Sequence, residues 1–443
     1  MRFRFLLGVV LVLPILGADW PQWRGPNRDG VSKEIGLLKT WPKDGPKLAW
    51  SYKKAGAGYS CPAIVGDRLY TMGARDGDEY LFCLDIKDPK AVAELWAVKL
   101  GPTFTFKSNI WGEGPRATPT VDKGLVYGLG GQGELVCVDA SGGALKWRKS
   151  MLKELNGQVN PIGGGPGDGE PDQPQLGWGY TWSPLVDGDR LICTPGGPDG
   201  TVAALDKKSG NVLWRSKDLK EQCAYASPIH AEVGGIRHYV IQTYKGPYGV
   251  STSGAVLWHY PRPYKDVLIP TPLFHDGYVY VTSGHGSGPG CDLVKLTAAD
   301  GKITAKKVYS NDEMTNQQGG VVLFGSHVFG HSHPGGWTCQ DFLKGTVLWS
   351  EREALGPGSI VAADGCLYCF GDEYQPRSDE GTVVLLEASP KDWTEKGRFA
   401  LPEKSAFLKK PSHKNSKRWT PPVIANGKLY LRDQELIFCY DIK

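Results

Sequence analysis

The chain has 443 residues, 40% hydrophobic and 11% aromatic, so it can bury a large core and is not a disordered polymer. Its 59 Gly and 32 Pro make up about 21% of the chain, short of the ~25–30% of low-complexity sequences; with so many aromatics they point to short strands and tight turns and exclude long helical bundles. The 51 basic and 47 acidic residues are balanced and form no basic stripe, which argues against a nucleic-acid partner.

At the start, Arg2 and Arg4 precede an apolar run from Leu6 to Leu16 that contains Pro14, and small residues Gly17 and Ala18 follow. This is the pattern of a secretory signal peptide over residues 1–18; the run is too short to span a bilayer, and an uncleaved anchor is the alternative. The expectation is an exported protein, periplasmic or extracellular, with residues 19–443 as one domain and no further transmembrane segment. Next comes Leu48-Ala49-Trp50-Ser51-Tyr52, a strand with a central aromatic and no hairpin before it.

From Pro62 onward one phrase recurs: Pro, three mostly apolar residues, a tight turn, then an apolar strand. Pro62, Pro119, Pro184, Pro272 and Pro422 lead the clear copies, with turns at Gly66-Asp67, Lys123-Gly124, Gly188-Asp189, Asp276-Gly277 and Asn426-Gly427. Pro228 begins a weaker copy, and Val321 and Ile360 replace the Pro in two more. A second phrase follows each hairpin, clearest in Val202 to Trp214: a strand ending in Asp206, a turn with Gly210, and a last strand carrying Trp214. Gly and Trp recur four apart at Gly143/Trp147, Gly254/Trp258 and Gly345/Trp349; Trp96, Tyr309 and Phe399 fill the same place elsewhere. Each unit therefore has four strands, A to D. The last unit stops after strand C, and Leu48–Tyr52 is the D strand it lacks.

The prediction is all-β: an eight-bladed propeller of four-stranded antiparallel blades, closed by residues 46–52 joining the last blade. A seven-bladed ring is the alternative, should the unit at Pro228 not form a blade. Trp50, Trp96, Trp147, Trp214, Trp258 and Trp349 are expected between blades as structural aromatics. The ten cysteines read as small apolar strand residues. Cys366 and Cys369 have CxxC spacing, but an offset of three on a strand points them to opposite faces.

Leu205-Asp206-Lys207-Lys208-Ser209-Gly210-Asn211-Val212-Leu213-Trp214 and its copies resemble the repeat of the pyrroloquinoline-quinone-like (PQQ-like) β-propeller family. Asp19-Trp20-Pro21-Gln22-Trp23-Arg24-Gly25-Pro26-Asn27-Arg28-Asp29-Gly30 is similar to a leader of exported bacterial members. The likeness covers nearly all of residues 19–443. It implies the propeller fold and two functions: quinone-dependent alcohol dehydrogenase, or the scaffold lipoprotein of outer-membrane β-barrel assembly. For the dehydrogenase, the resemblance implies a quinone and Ca²⁺ in the central channel over a pair of adjacent cysteines. No two cysteines are adjacent, and no compact Ca²⁺ ligand set can be named.

The long irregular stretches are D–A and B–C connections, which share one side of the ring. That side, with the channel mouth, is the expected working surface. Candidate ligand contacts there are Lys245, His285, Asn316, Gln318, His331 and Trp337; no catalytic residue and no metal ligand is assigned. His331-Ser332-His333 could bind a metal from one strand face, but no third ligand can be named. The expected function is a non-catalytic binding or scaffold protein of the bacterial cell envelope, a monomer without cofactor whose partner is an envelope protein or small ligand. The alternative is a periplasmic alcohol or sugar oxidoreductase using PQQ with Ca²⁺. Carbohydrate or polymer binding is a third reading, from exposed aromatics such as Trp111, Trp178 and Trp182.

Overall fold

Each Pro-led phrase folds as a hairpin, and two further strands extend it outward. The computed structural model describes residues 18–106, 109–160, 176–284, 288–372, 381–413, 415 and 417–443. Eight antiparallel sheets follow in chain order: blade 1 (63–102), blade 2 (120–150), blade 3 (185–215), blade 4 (229–259), blade 5 (273–311), blade 6 (321–351), blade 7 (358–400) and blade 8 (423–441 with 47–52). The unit at Pro228 is a complete blade, so the ring has eight. The A–B turns are two-residue corners: in blades 2, 4, 5, 7 and 8 both corner residues take positive φ, as at Asn426 (56°) and Gly427 (68°), and in blades 1, 3 and 6 the first, a glycine, does.

The ring closes through the early strand. Leu48 pairs with Tyr440, Trp50 with Cys439, Ser51 with Phe438 and Tyr52 with Ile437. Arg432 of blade 8 adds a second seam. Its Nη1 donates to Ser60 O (2.7 Å), Thr71 Oγ1 (2.8 Å) and Met72 O (2.7 Å), all at blade 1.

One cross-strand row repeats: an aromatic on B, a cysteine on C, a tryptophan on D. The copies are Tyr70–Cys83–Trp96, Tyr127–Cys137–Trp147, Phe329–Cys339–Trp349 and Tyr430–Cys439–Trp50. Cysteine fits because the slot between two large rings has room for a small apolar side chain. The next blade then covers each tryptophan with its C–D turn. A Cβ on Gly143 would lie 2.7 Å from Trp96, one on Gly210 2.7 Å from Trp147, and one on Gly254 2.7 Å from Trp214. The indole N–H donates into the same turn, as Trp96 to Ala140 O (3.2 Å) and Trp147 to Lys207 O (3.1 Å). Trp258 differs: it donates to His238 Nε2 (3.1 Å) within its own blade. Cys366 and Cys369 are both buried, in two separate core clusters on either face of their strand.

A bulge one residue before the aromatic lets the tryptophan turn inward while its neighbour turns out. The exposed Leu95, Leu213, Val308 and Leu348 are those neighbours.

The leader occupies the central channel, which its motif did not announce. Asp19 Oδ1 accepts from Gly66 N (2.8 Å) at the A–B turn of blade 1, and Trp20 bridges Ile64 of the innermost strand. Pro21 O accepts from Val121 N (2.8 Å) in blade 2. Residues 24–30 then reverse direction, and Val31–Ser32 return parallel to strand A of blade 7. Glu34 Oε1 closes the loop, accepting from Ala18 N (3.0 Å) and from Gly427 N (3.3 Å). The leader is thus a loop inserted along the axis from the A–B side. Two buried guanidiniums fix its tip. Arg28 donates to Pro184 O (3.0 Å) and Ser183 O (2.7 Å); Arg24 donates to Asp29 O (2.9 Å) and Val321 O. Burial lowers their pKa to about 9 and about 10. Carbonyl acceptors on several blades make these charges tolerable inside the ring.

Candidate functional site: an aromatic cavity at the channel mouth

The three residues before each repeat proline approach the axis on the D–A side. The third residue back is Tyr59, Arg116, Thr181, Tyr225, Ile269, Gln318 and Trp419 in blades 1 to 6 and 8, and all seven line one cavity of about 190 Å³. In blade 7 the position is Pro357, which is not in the lining. Trp23, at the leader's turn, supplies the floor; its Nε1 donates to Thr271 Oγ1 (3.0 Å). Trp111 and Trp178, further out on two long D–A loops, form walls, and Gln317 and Lys417 complete the polar lining.

The aromatic rings brace one another. Trp111 and Trp419 stack at 6.0 Å and 18°, Trp178 meets Trp111 edge-on at 6.3 Å, and Tyr59 lies 5.2 Å from Trp419. Tyr59 donates its hydroxyl to Trp111 O. Asn109 shapes the Trp111 turn, accepting from Trp111 N (3.0 Å) and donating to Gly112 O (2.8 Å). The loop before blade 2 is tied to the loop before blade 8 through Gly112 N to Ser412 O (2.9 Å) and Asn415 N to Ile110 O (2.6 Å). Arg116 lies 4.8 Å from the centre of Phe104, 5.5 Å from Tyr59 and 5.7 Å from Trp178, and donates to Gly112 O (3.0 Å) and Gly114 O (2.9 Å). Burial lowers its pKa, but a guanidinium stays charged. The lining holds two basic side chains and, among the described residues, no carboxylate.

A family model described as outer membrane protein assembly factor BamB matches residues 84–351. The chain belongs to that family. By structure, it is similar to BamB from Moraxella catarrhalis, with 15% identity, 87% of this chain and 94% of that one covered, and a TM-score of 0.57. A europium-containing methanol dehydrogenase has the same fold at 12% identity, covering 94% and 89%, TM-score 0.57. So does Saccharomyces cerevisiae Sqt1, at 10% identity, covering 92% and 100%, TM-score 0.53. No curated protein matches by sequence. The PQQ-like propeller resemblance is thereby shown; the BamB family carries this frame, and structures at such low identity show the fold alone. No helix among the described residues is long and apolar enough to cross a membrane.

Of the six candidate contacts, Gln318 lines the cavity. Asn316 is buried beside it, its amide donating to Gly320 O and His331 O (3.0 Å each). His331 is buried edge-on against Trp337, 5.6 Å away, and burial lowers its pKa to about 3, so the ring stays neutral. Trp337 is a core residue donating to Leu355 O (3.1 Å) and Gly356 O (3.0 Å). Lys245 is exposed at a B–C turn and paired with Glu221 (2.5 Å). His285 lies outside the described residues, as do residues 1–17 of the expected signal peptide. Trp182, read as exposed, is fully buried. Among the described residues, no group of three or more His, Cys, Asp and Glu is placed to hold a metal ion.

Glu79 of blade 1 holds the cavity's walls from behind. Its carboxylate accepts from Phe104 N (3.0 Å) and Gly131 N (2.8 Å), and Gly131 O accepts from Tyr180 N (2.9 Å), so one buried acid links the loops carrying Arg116 and Trp178. Burial raises its pKa to about 7, against the two N–H donors and nearby Arg116, which lower it. The folded chain therefore binds this proton more tightly than the unfolded chain. The resulting stabilisation is complete below pH ~4.5 and is lost as pH rises through about 7, on the order of 3 kcal/mol in all. Glu79→Gln should remove that slope. Urea midpoints of wild type and variant measured from pH 5 to 8 test this; a constant difference between them would refute it.

Proposed function

We propose that this BamB-family chain is an exported, non-catalytic binding protein of the cell envelope that takes a ligand or partner segment at the channel mouth. The observation that carries the reading is the cavity itself. Seven of the eight repeats contribute the same register position to it, and the protein's own leader closes it below. A floored cup of aromatics with a few convergent polar groups suits binding. Export is supported by the signal-peptide pattern of residues 1–18 and by the family, described as an assembly factor for outer membrane proteins.

The quinone alternative needs a cation beside the quinone. Ca²⁺ takes about six to eight oxygen ligands, usually including carboxylates. The described lining offers hydroxyls, amides and carbonyls but no Asp or Glu, and Arg116 and Lys417 would repel the ion. These residues do not fit the metal half of the cofactor, and no reaction step is drawn through it. Titration with PQQ and Ca²⁺ by calorimetry should show no tight binding, and a dye-linked assay over alcohols and sugars no reduction. Micromolar binding with turnover of any alcohol or sugar would overturn this reading.

A further inference from the structure

We propose that the cavity takes the end of a neutral saccharide, a pyranose ring whose hydroxyls are all equatorial; this rests on the reading of the channel mouth as a binding site. The lining divides by blade. Tyr59, Trp111, Trp178 and Trp419 come from the segments leading into blades 1, 2, 3 and 8 and form one aromatic arc. Gln317 and Gln318 lead into blade 6, which stands across a ring of eight from blade 2. Ser227 and Thr271, just before blades 4 and 5, carry this polar side down to the floor, beside Val267 and Ile269.

The polar groups left to a ligand are uncharged. The Gln317 and Gln318 amides hold no hydrogen bond to the described residues. Ser227 Oγ accepts from Ser183 N (2.9 Å) and Thr271 Oγ1 from Trp23 Nε1 (3.0 Å), so among the described residues each hydroxyl keeps its proton to donate. Thr181 Oγ1 donates to Tyr225 O (2.7 Å) and keeps its lone pairs to accept. The charges are engaged within the protein. Arg116 donates to Gly112 O and Gly114 O with the buried Glu79 carboxylate nearby, and Lys417 has an interaction of its own. The fitting ligand is therefore apolar on one side and both donates and accepts on the other. A flat arene or an apolar side chain covers the indoles but strips water from the amides and returns no partner, at a cost for each group left unpaired. A pyranose with equatorial hydroxyls meets both demands, because its faces carry only C–H and its edge carries the O–H groups. An axial hydroxyl would press an oxygen against an indole. About 190 Å³ is below the ~300–1,000 Å³ of sites for drug-sized ligands, and Trp23 blocks passage through the ring. The site receives one or two rings from one side, a chain end and not a threaded polymer.

The test uses the purified full chain and three probes: a β-1,4-linked glucose trimer, the β-1,4-linked galactose trimer with its axial hydroxyls, and a blocked, uncharged tripeptide with a central tryptophan. Each is followed by calorimetry and tryptophan fluorescence. The glucose trimer should bind about fivefold or more tightly than the galactose trimer, and its affinity should stay within about twofold as salt rises to ~0.5 M, because no charge is used. Trp111→Ala and Gln318→Ala should each weaken it about fivefold or more. Urea midpoints near wild type exclude loss of fold, and Gln318→Ala, which breaks no hydrogen bond to the described residues, carries the test if Trp111→Ala disturbs its loop. Equal binding of the two trimers, steep weakening by salt, or no effect of Gln318→Ala would overturn the saccharide assignment. Tighter binding of the tripeptide, lost in Trp111→Ala, would overturn it too and leave the binding site standing. If no probe binds, the assignment falls, and the reading of the mouth as a binding site falls with it when envelope extract also yields no partner that Trp111→Ala loses.

Discussion

Removing residues 47–52 should turn the protein into an aggregating chain. This strand is the whole D strand of blade 8, and the chain supplies it hundreds of residues before the other three. Its loss exposes the edge of the Leu436–Asp441 strand, where Ile437, Phe438 and Cys439 are fully buried. It also removes Trp50, which is 7% exposed and packs edge-on against Tyr430 at 6.0 Å. Burying one such ring contributes roughly 1.5–3 kcal/mol. The open edge is the more serious loss, because unpaired N–H and C=O groups in a flat apolar strand recruit a second chain. Size-exclusion chromatography and urea unfolding, compared with the full chain, check this. An unchanged elution volume and midpoint would mean that Arg432 and the blade 1 contacts close the ring unaided.

Trp147→Ala should cost about 3–5 kcal/mol, the range for emptying a buried aromatic site. Trp147 is 8% exposed, lies tilted against Tyr127 at 6.1 Å, and sits under the Gly210 turn with its indole N–H bonded. Its removal opens a gap between blades 2 and 3 and leaves Lys207 O with the Tyr127 hydroxyl alone, which donates to it at 3.1 Å. Trp178→Ala, at the cavity wall, should cost less than Trp147→Ala, because Trp178 is only half-buried and packs on the core from its edge. Gly210→Ala provides a cross-check. Its φ of 73° disfavours a side chain, and its Cβ would meet the Trp147 ring at 2.7 Å. Because the two positions touch, Gly210→Ala should cost less once Trp147 is already Ala. Urea denaturation of the four chains measures the coupling; strict additivity would contradict the contact.

The fold was legible because every repeat puts its turn residues and its aromatic in phase, so eight weak signals reinforce one another. Even the displaced strand at Leu48 could be read, since it carries the same aromatic as the other D strands. The axial leader could not. Its anchors are backbone carbonyls, such as Ser183 O and Pro184 O for Arg28, and a carbonyl leaves no trace in residue identity. The site was half legible. The cavity opens on the loop-rich side, where the working surface was expected, but most of the chosen candidates lie elsewhere: His331 packs edge-on against Trp337 in a core, and Asn316 spends its amide on backbone. The usable signal was register. Aligning the repeats on their prolines and reading three residues back lists Tyr59, Arg116, Thr181, Tyr225, Ile269, Gln318 and Trp419, which is most of the cavity.

The inserted leader also settles how the molecule can be mounted. Ala18 meets Glu34, Glu34 meets the Gly427 turn, and Ile442 N donates to Gly427 O (3.1 Å), so the described chain starts and finishes on the side away from the cup. Anything joined before Ala18 or after Lys443 departs from that underside. A lipid anchor, a surface or a fused domain attached at either terminus would hold the propeller like a bowl by its foot, with Trp23 as the bottom and the aromatic opening turned toward the surrounding medium.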